Sequence, residues 1–456
     1  MKKFEAGAPF NSLLARMPPG LRKIAENMSW LMFDRVVRMG MGLFVGVWVA
    51  RYLGPANYGS LNFALSFVAL FTTVTTLGLD MIVVREIVHN REDAHEILGT
   101  TLALRIGGSV IALLVTVATI HLIQPHDEEA QLLVSILSLG FIFQAFDTID
   151  LFFQSQVQSK ITVWAKNSAF LIFAAVRIVF IHIKAPVWTF AAAAVGEIVL
   201  GAFGLIVGYR LSGGKMRVWR GTAERARSLM QQSWPVIFSG MAIMIYMRID
   251  MVMLKTMQSD FAVGLYAAAV KVSEVWYFIP LAAVSSVSPA IMRAKNNPAL
   301  YYARLRKFFS IMTWTACLIG SLVALGSRFI VHILYAHAYS GAGPVLAVHI
   351  WASVFVFLGV AQAPWDITEN LLKLSLYRTV SGAIINVGMN IFLIPHYAAM
   401  GAAISTVVAY AISGVFANAF DSRTRPIFYM QMRSFVPSEL WAKNPEASLG
   451  GGTPSP

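Results

Sequence analysis

About twelve apolar stretches, near residues 28–50, 58–84, 97–123, 130–154, 160–183, 187–210, 233–257, 264–293, 307–334, 345–370, 377–396 and 398–421, limit what this chain can fold into. A helix rises about 1.5 Å per residue, so each stretch can cross a hydrocarbon core of about 30 Å. A backbone in lipid has to satisfy its own hydrogen bonds, which leaves helices joined by short connections. The expectation is an all-α integral membrane protein of about 12 transmembrane helices. Composition agrees, with 57% apolar and only 13% charged residues, against about a quarter charged in soluble chains.

Lys and Arg, 36 in all, outnumber the 23 Asp and Glu. With the N-terminus inside, about 26 of the basic residues fall in cytoplasmic segments and about four in external loops, a strong positive-inside asymmetry. The surplus therefore sets topology and attraction to anionic membrane lipids, and nucleic acid is not an expected partner. Residues 1–27 carry Lys2, Lys3, Arg16, Arg22 and Lys23 among prolines, without an apolar core ending in small residues, and read as a retained cytoplasmic segment. Cys317, the single cysteine, lies in an apolar run and packs there, which excludes intrachain disulfides and thiolate metal cages.

Residues 211–232, basic and containing Gly213, Gly214 and Gly221, divide the spans into a six-helix lobe at 28–210 and a second at 233–423, with a loose cytoplasmic tail at 424–456. Short echoes relate the halves: Ser29-Trp30 and Ser233-Trp234, Arg51 and Lys255, Gly59 and Gly264. Six spans per half leave both lobes in one orientation, a parallel repeat around a central cavity.

Arg35, Arg38, Arg105, Arg177, Arg248 and Lys271 lie inside the expected spans. Each costs roughly 2.5–3.5 kcal/mol at a bilayer centre unless it faces water or a counter-charge. Asp34 and Arg38, four apart, share a helix face, while Arg35 points about 100° away. Arg248 and Asp250 are two apart and seek partners on other helices, with Lys271 and Glu274 suited by depth; Glu197 is deep and alone. Gln144, Asp147, Asp150 and Gln154 draw a polar stripe that lipid cannot cover, to be buried against another helix or to line a wet route. Basic groups at this depth suit an anion, and the carboxylates of Asp34, Asp250, Glu274 and Glu197 suit charge pairing or a coupling ion. No phosphate-binding P-loop and no histidine metal pattern is present. Neither an enzyme, a catalytic residue, a metal site nor a bound cofactor is expected, beyond a coupling ion, H+ or Na+.

The runs ARYLGPANYG (50–59), TLGLD (76–80), EILGT (96–100), AFDTIDLFFQSQVQSK (145–160), RID (248–250), GLYAAAVKVSEVWYFIPLAAVSS (264–286) and ENLLKLSLYRT (369–379) resemble the oligosaccharide flippases of the multidrug/oligosaccharidyl-lipid/polysaccharide exporter superfamily. Lys271 departs from the arginine more usual there, keeping the charge but losing a bidentate fork. The resemblance implies translocation of an undecaprenyl-diphosphate-linked oligosaccharide to the outer leaflet of the bacterial inner membrane by alternating access. It also implies basic residues on the diphosphate and, as further partners, a polysaccharide polymerase and assembly proteins. Two other readings stay open: a cation-coupled multidrug or metabolite exporter of the same fold, and a membrane scaffold for polysaccharide-assembly enzymes.

Overall fold

The structure is a computed structural model that describes residues 19–437, with side chains described at Trp30 and from Arg38 onward. Asp34 and Arg35 therefore lie outside the described side chains. The helices are α1 Pro19–Thr76, α2 Asp80–His89, α3 Ala94–Ile123, α4 Glu128–Ser138, α5 Gly140–Gln144, α6 Thr148–Ser155, α7 Ser159–His182, α8 Val187–Leu211, α9 Ala223–Met257, α10 Asp260–Glu274, α11 Phe278–Arg293, α12 Pro298–Tyr335, α13 Ala342–His349, α14 Ala352–Thr368, α15 Leu372–Gly414 and α16 Arg425–Arg433. No strand occurs among the described residues.

Ten segments of the described residues are long and apolar enough to cross a membrane. Two of them, Arg38–His89 with 52 residues and Leu372–Ala419 with 48, are double the roughly twenty that one crossing takes. Each contains a break. In α1 it is Gly54 at φ 71° and ψ 171°, followed by Pro55; glycine tolerates positive φ, and proline supplies no N–H to continue the helix. In α15 it is Ala398 at φ 46° and ψ −127°. Both breaks fall where neighbouring apolar stretches were expected to meet, so the architecture is compatible with twelve crossings. The stretch 130–154 is not one regular helix: α4 stops at Ser138, and a 3-10 turn at Ala145–Asp147 separates α5 from α6. Within the segment read as a loose tail, Arg425–Arg433 form a helix.

The chain divides into two compact units, residues 1–49 with 68–241, and residues 50–67 with 242–456. Each half of the chain thus contributes one segment to the opposite unit. In the first unit Leu79, Val83 and Ile87 meet Ile97, Leu98, Leu151 and Leu229 in a core of fully or almost fully buried side chains. The loop before α9 lies on α3: Gly99 leaves room for the backbone of Arg220, Thr222 Oγ1 donates to Glu96 at 2.6 Å, and Arg225 pairs with Asp93 at 2.9 Å. Part of the basic charge of 211–232 is therefore neutralised within the unit.

In the second unit Phe308, Phe309, Met312 and Ala316 of α12 pack with Phe357, Leu358, Ala361 and Trp365 of α14. Asn297 caps α12 by accepting from Leu300 N at 3.2 Å, with Pro298 in the first turn, where its missing N–H costs nothing. The echoed glycines meet here. A Cβ on Gly59 would sit 1.8 Å from the Asp260 carbonyl oxygen, and one on Gly264 would sit 1.9 Å from that of Pro55. Each glycine thus rests on the residue four before the other, a self-complementary crossing of α1 and α10. Replacing Gly59 or Gly264 by Val is expected to cost about 1–3 kcal/mol each, as overpacking does, and to lower the thermal midpoint of detergent-solubilised protein. Gly107→Ala, where a Cβ meets nothing within 4 Å, is expected to leave it unchanged or higher.

Candidate functional site

Helices α7 and α8 pack closely because α8 presents glycine to α7: a Cβ on Gly204 would lie 3.0 Å from the Ala165 Cβ, and one on Gly208 would lie 2.6 Å from Ile161. The close pairing fixes the phase at which Lys166 and Arg177 of α7 and Glu197 of α8 project. Arg177 Nη2 donates to Glu197 Oε2 at 2.9 Å, and Arg38 of α1 approaches Glu197 Oε1 at 3.9 Å. The Arg38 guanidinium also lies 5.5 Å from the centre of the Phe170 ring, a favourable cation–π geometry. Lys166 bridges Asp147 at 2.8 Å and Asp150 at 3.2 Å.

Arg38, Lys166, Glu197, Asp147 and Gln144 line a cavity of about 180 Å³, closed on other sides by Phe143, Ile198, Gly201 and Ala202. That volume admits several waters. Arg38 and Glu197 stand ten residues inside their apolar stretches, about 15 Å of helical rise, so the polar cavity lies well below a membrane surface. Glu197 thus pairs with two guanidiniums. Arg38 is the more distant of the two from Glu197 and the more exposed, at 31%. Arg177 stands behind Glu197 and does not belong to the lining.

Arg105 goes elsewhere. It is 1% exposed and ion-paired with Asp80 at the start of α2, so its charge is compensated inside the first unit. The polar stripe divides: Gln144 and Asp147 face the cavity, Asp150 holds Lys166, and Gln154 is exposed. In the second unit Arg248 lies 4.0 Å from Glu274, and Lys271 is exposed on α10.

Asp250 turns away from Arg248, because two residues of helix are about 200° of rotation. It is 3% exposed. Its carboxylate accepts from Tyr266 Oη at 2.7 Å, Thr406 Oγ1 at 2.6 Å and Asn390 Nδ2 at 2.6 Å. Asn390 also donates to Asn386 Oδ1 at 3.3 Å, and the ring of buried His349 stands edge-on to Tyr266 at 5.7 Å. No cation pairs with Asp250 among the described residues. The carboxylate is held by neutral hydrogen-bond donors alone among the described residues.

Sequence reasoning misses Lys166, which lies only six residues inside its apolar stretch and counts there with cytoplasmic charge. It also misses Tyr266, Asn390 and Thr406, whose ordinary side chains become a site only around Asp250. The depth of Lys166 was the one signal available.

The fold is that of the multidrug/oligosaccharidyl-lipid/polysaccharide superfamily of membrane transporters. An inward-facing multidrug resistance MATE family transporter of that superfamily superposes with a TM-score of 0.70 at 14% identity, covering 91% of this chain and 99% of that one. The lipid II flippase MurJ in an inward closed conformation superposes with a TM-score of 0.69 at 14% identity, covering 94% of both chains. A superfamily transporter from Pyrococcus furiosus, described by a binding pocket of reverse polarity, gives 0.59 at 15% identity over 94% of this chain and 98% of that one. Residues 24–295, more than half of the chain, match the family described as polysaccharide biosynthesis protein, and the chain belongs to that family. No functionally curated protein matches the sequence.

Glu197→Gln removes the carboxylate that pairs with both Arg38 and Arg177. It is expected to destabilise the protein by roughly 2 kcal/mol, below the 3–5 of a fully dry broken pair because the side chains are partly exposed. Glu197→Gln with Arg177→Met is expected to recover most of that loss, read as a double-mutant cycle on the detergent thermal midpoint.

Proposed function

We propose that this protein translocates a polyprenyl-diphosphate-linked oligosaccharide from the cytoplasmic to the outer leaflet of the bacterial inner membrane by alternating access, with both termini cytoplasmic, in cell-surface polysaccharide biosynthesis. The observation that carries this reading is the cavity holding Arg38 and Lys166 at membrane depth beside a carboxylate that two guanidiniums share. Family membership supports the polysaccharide context. A diphosphate diester bears about two negative charges and loses much of its hydration on entering such a cavity; charge-assisted hydrogen bonds from basic groups replace it. The cavity suits a phosphate rather than a glycan in size, so the sugars extend beyond it and the polyprenyl chain stays in lipid. Arg35, Arg248 and Lys271 are the further candidates for head-group contact, and Glu197 releases Arg38 when the anion arrives. Polysaccharide polymerase and assembly proteins are the partners this role implies.

Asp250 carries the coupling charge in this mechanism. Binding a proton or Na+ there removes an uncompensated negative charge from the interior of the second unit and frees Tyr266 and Thr406 to rearrange. The same group favours, as a second reading, a cation-coupled exporter of drugs or metabolites, in which Asp250 is essential and the basic cavity is not.

In proteoliposomes carrying a fluorescent polyprenyl-diphosphate sugar, the protein is expected to accelerate leaflet exchange over empty liposomes, and equal rates would reject the transport reading. Arg38→Ala is expected to slow exchange at least about tenfold, the worth of one hydrogen bond to a charged group. An unchanged rate would move the assignment toward the exporter. Asp250→Asn, close in shape, is expected to preserve folding and abolish the dependence of exchange on an imposed pH or Na+ gradient; a variant as gradient-dependent as wild type would remove Asp250 from coupling.

A further inference from the structure

Helix α16 uses its two faces differently. Ile427 and Met430 join the core formed by Phe308, Phe309 and Met312 of α12. Ser434 Oγ meets Thr313 Oγ1 at 2.7 Å. Gln431, fully buried, donates to Gln362 Oε1 at 3.2 Å and to the Gly414 carbonyl at 3.0 Å, and accepts from Asn418 Nδ2 at 3.0 Å. Gln362 and Asn418 in turn belong to a buried network with Arg378 and Asp366. Amides so fully satisfied at low dielectric hold the helix in one register.

The opposite face has no such partner. Arg425, Tyr429, Met432 and Arg433 follow one another at helical spacing and are all exposed, and Phe435 continues the row. Tyr429 is 58% exposed and Met432 40%. Phe420, in the turn before the helix, is 86% exposed. Arg423 is paired with Asp421 at 2.9 Å, whereas Arg425 and Arg433 have no acidic partner among the described residues. The level of the helix is set by Thr313, six residues inside its apolar stretch, or about 9 Å of rise. Arginines beside aromatic and apolar groups at that depth are the make-up of a helix lying in a bilayer interface.

We infer that α16 is a membrane-surface helix whose outer face binds the headgroups of anionic phospholipids in the cytoplasmic leaflet. Arg425 and Arg433 meet the phosphates while Phe420, Tyr429 and Met432 sink toward the acyl chains. The buried network transmits that anchorage to the inner ends of α14 and α15. This surface is independent of the transport reading above.

The test uses full-length protein with Met432→Cys in a Cys317→Ala background, labelled with an environment-sensitive fluorophore. It is reconstituted in phosphatidylcholine vesicles with and without phosphatidylglycerol. The expected result is strong quenching by nitroxide lipids labelled near the headgroup, weak quenching by aqueous iodide, and a shift toward the lipid signal when phosphatidylglycerol is present and salt is low. Arg425→Ala and Arg433→Ala are each expected to reduce the anionic-lipid dependence of the lipid-to-aqueous ratio about fivefold. Iodide quenching that is equal in both vesicles, with no lipid quenching, would overturn the inference. So would protection from both quenchers, which would place a protein surface on the helix. If the arginine variants fail to fold, the comparison of the two vesicle types decides alone.

Discussion

The structure depends on compensating charge where water is scarce. At membrane depth an isolated ion costs several kcal/mol, and the described residues answer this pair by pair: Arg177 and Arg38 around Glu197, Lys166 between Asp147 and Asp150, Arg105 on Asp80, Arg378 on Asp366. These pairings do not make a uniformly basic interior. Two places stand out among them: Arg38, which shares Glu197 with Arg177 and lines a cavity, and Asp250, which has hydrogen bonds but no cationic partner among the described residues.

The two places have different physics. Arg38 is partly exposed and lines a cavity together with Glu197, Asp147 and Lys166. Around Asp250 the environment is dry, and three neutral donors orient the carboxylate without neutralising it. A change of one unit charge there alters the energy of the whole buried cluster.

Glycine sets how closely the helices approach. Gly204 and Gly208 bring α7 against α8 and thereby aim the charged side chains, while Gly59 and Gly264 let α1 cross α10 at backbone contact. The weak internal echo in the sequence has a physical meaning at that crossing, because the two equivalent glycines need each other's space. Arg51 and Lys255, the neighbouring echo, have diverged. Arg51 donates to the carbonyls at the end of α12, whereas Lys255 pairs with Asp260.

The sequence by itself determined the helical class and where the long apolar stretches fall, while the breaks at Gly54 and Ala398 became visible only in the structure. Hydropathy patterns are local properties, readable a few residues at a time. It also singled out Arg38, Glu197, Arg177 and Asp250 by depth alone. Tertiary structure decided what each charge does: that Glu197 joins two arginines, that Lys166 belongs to the cavity, that Arg105 does not, and that Asp250 is held by Tyr266, Asn390 and Thr406 from 16, 140 and 156 residues away. Such choices rest on the rotation of one helix against another, and a shift of one residue, about 100° of turn, would hand every charge a different partner.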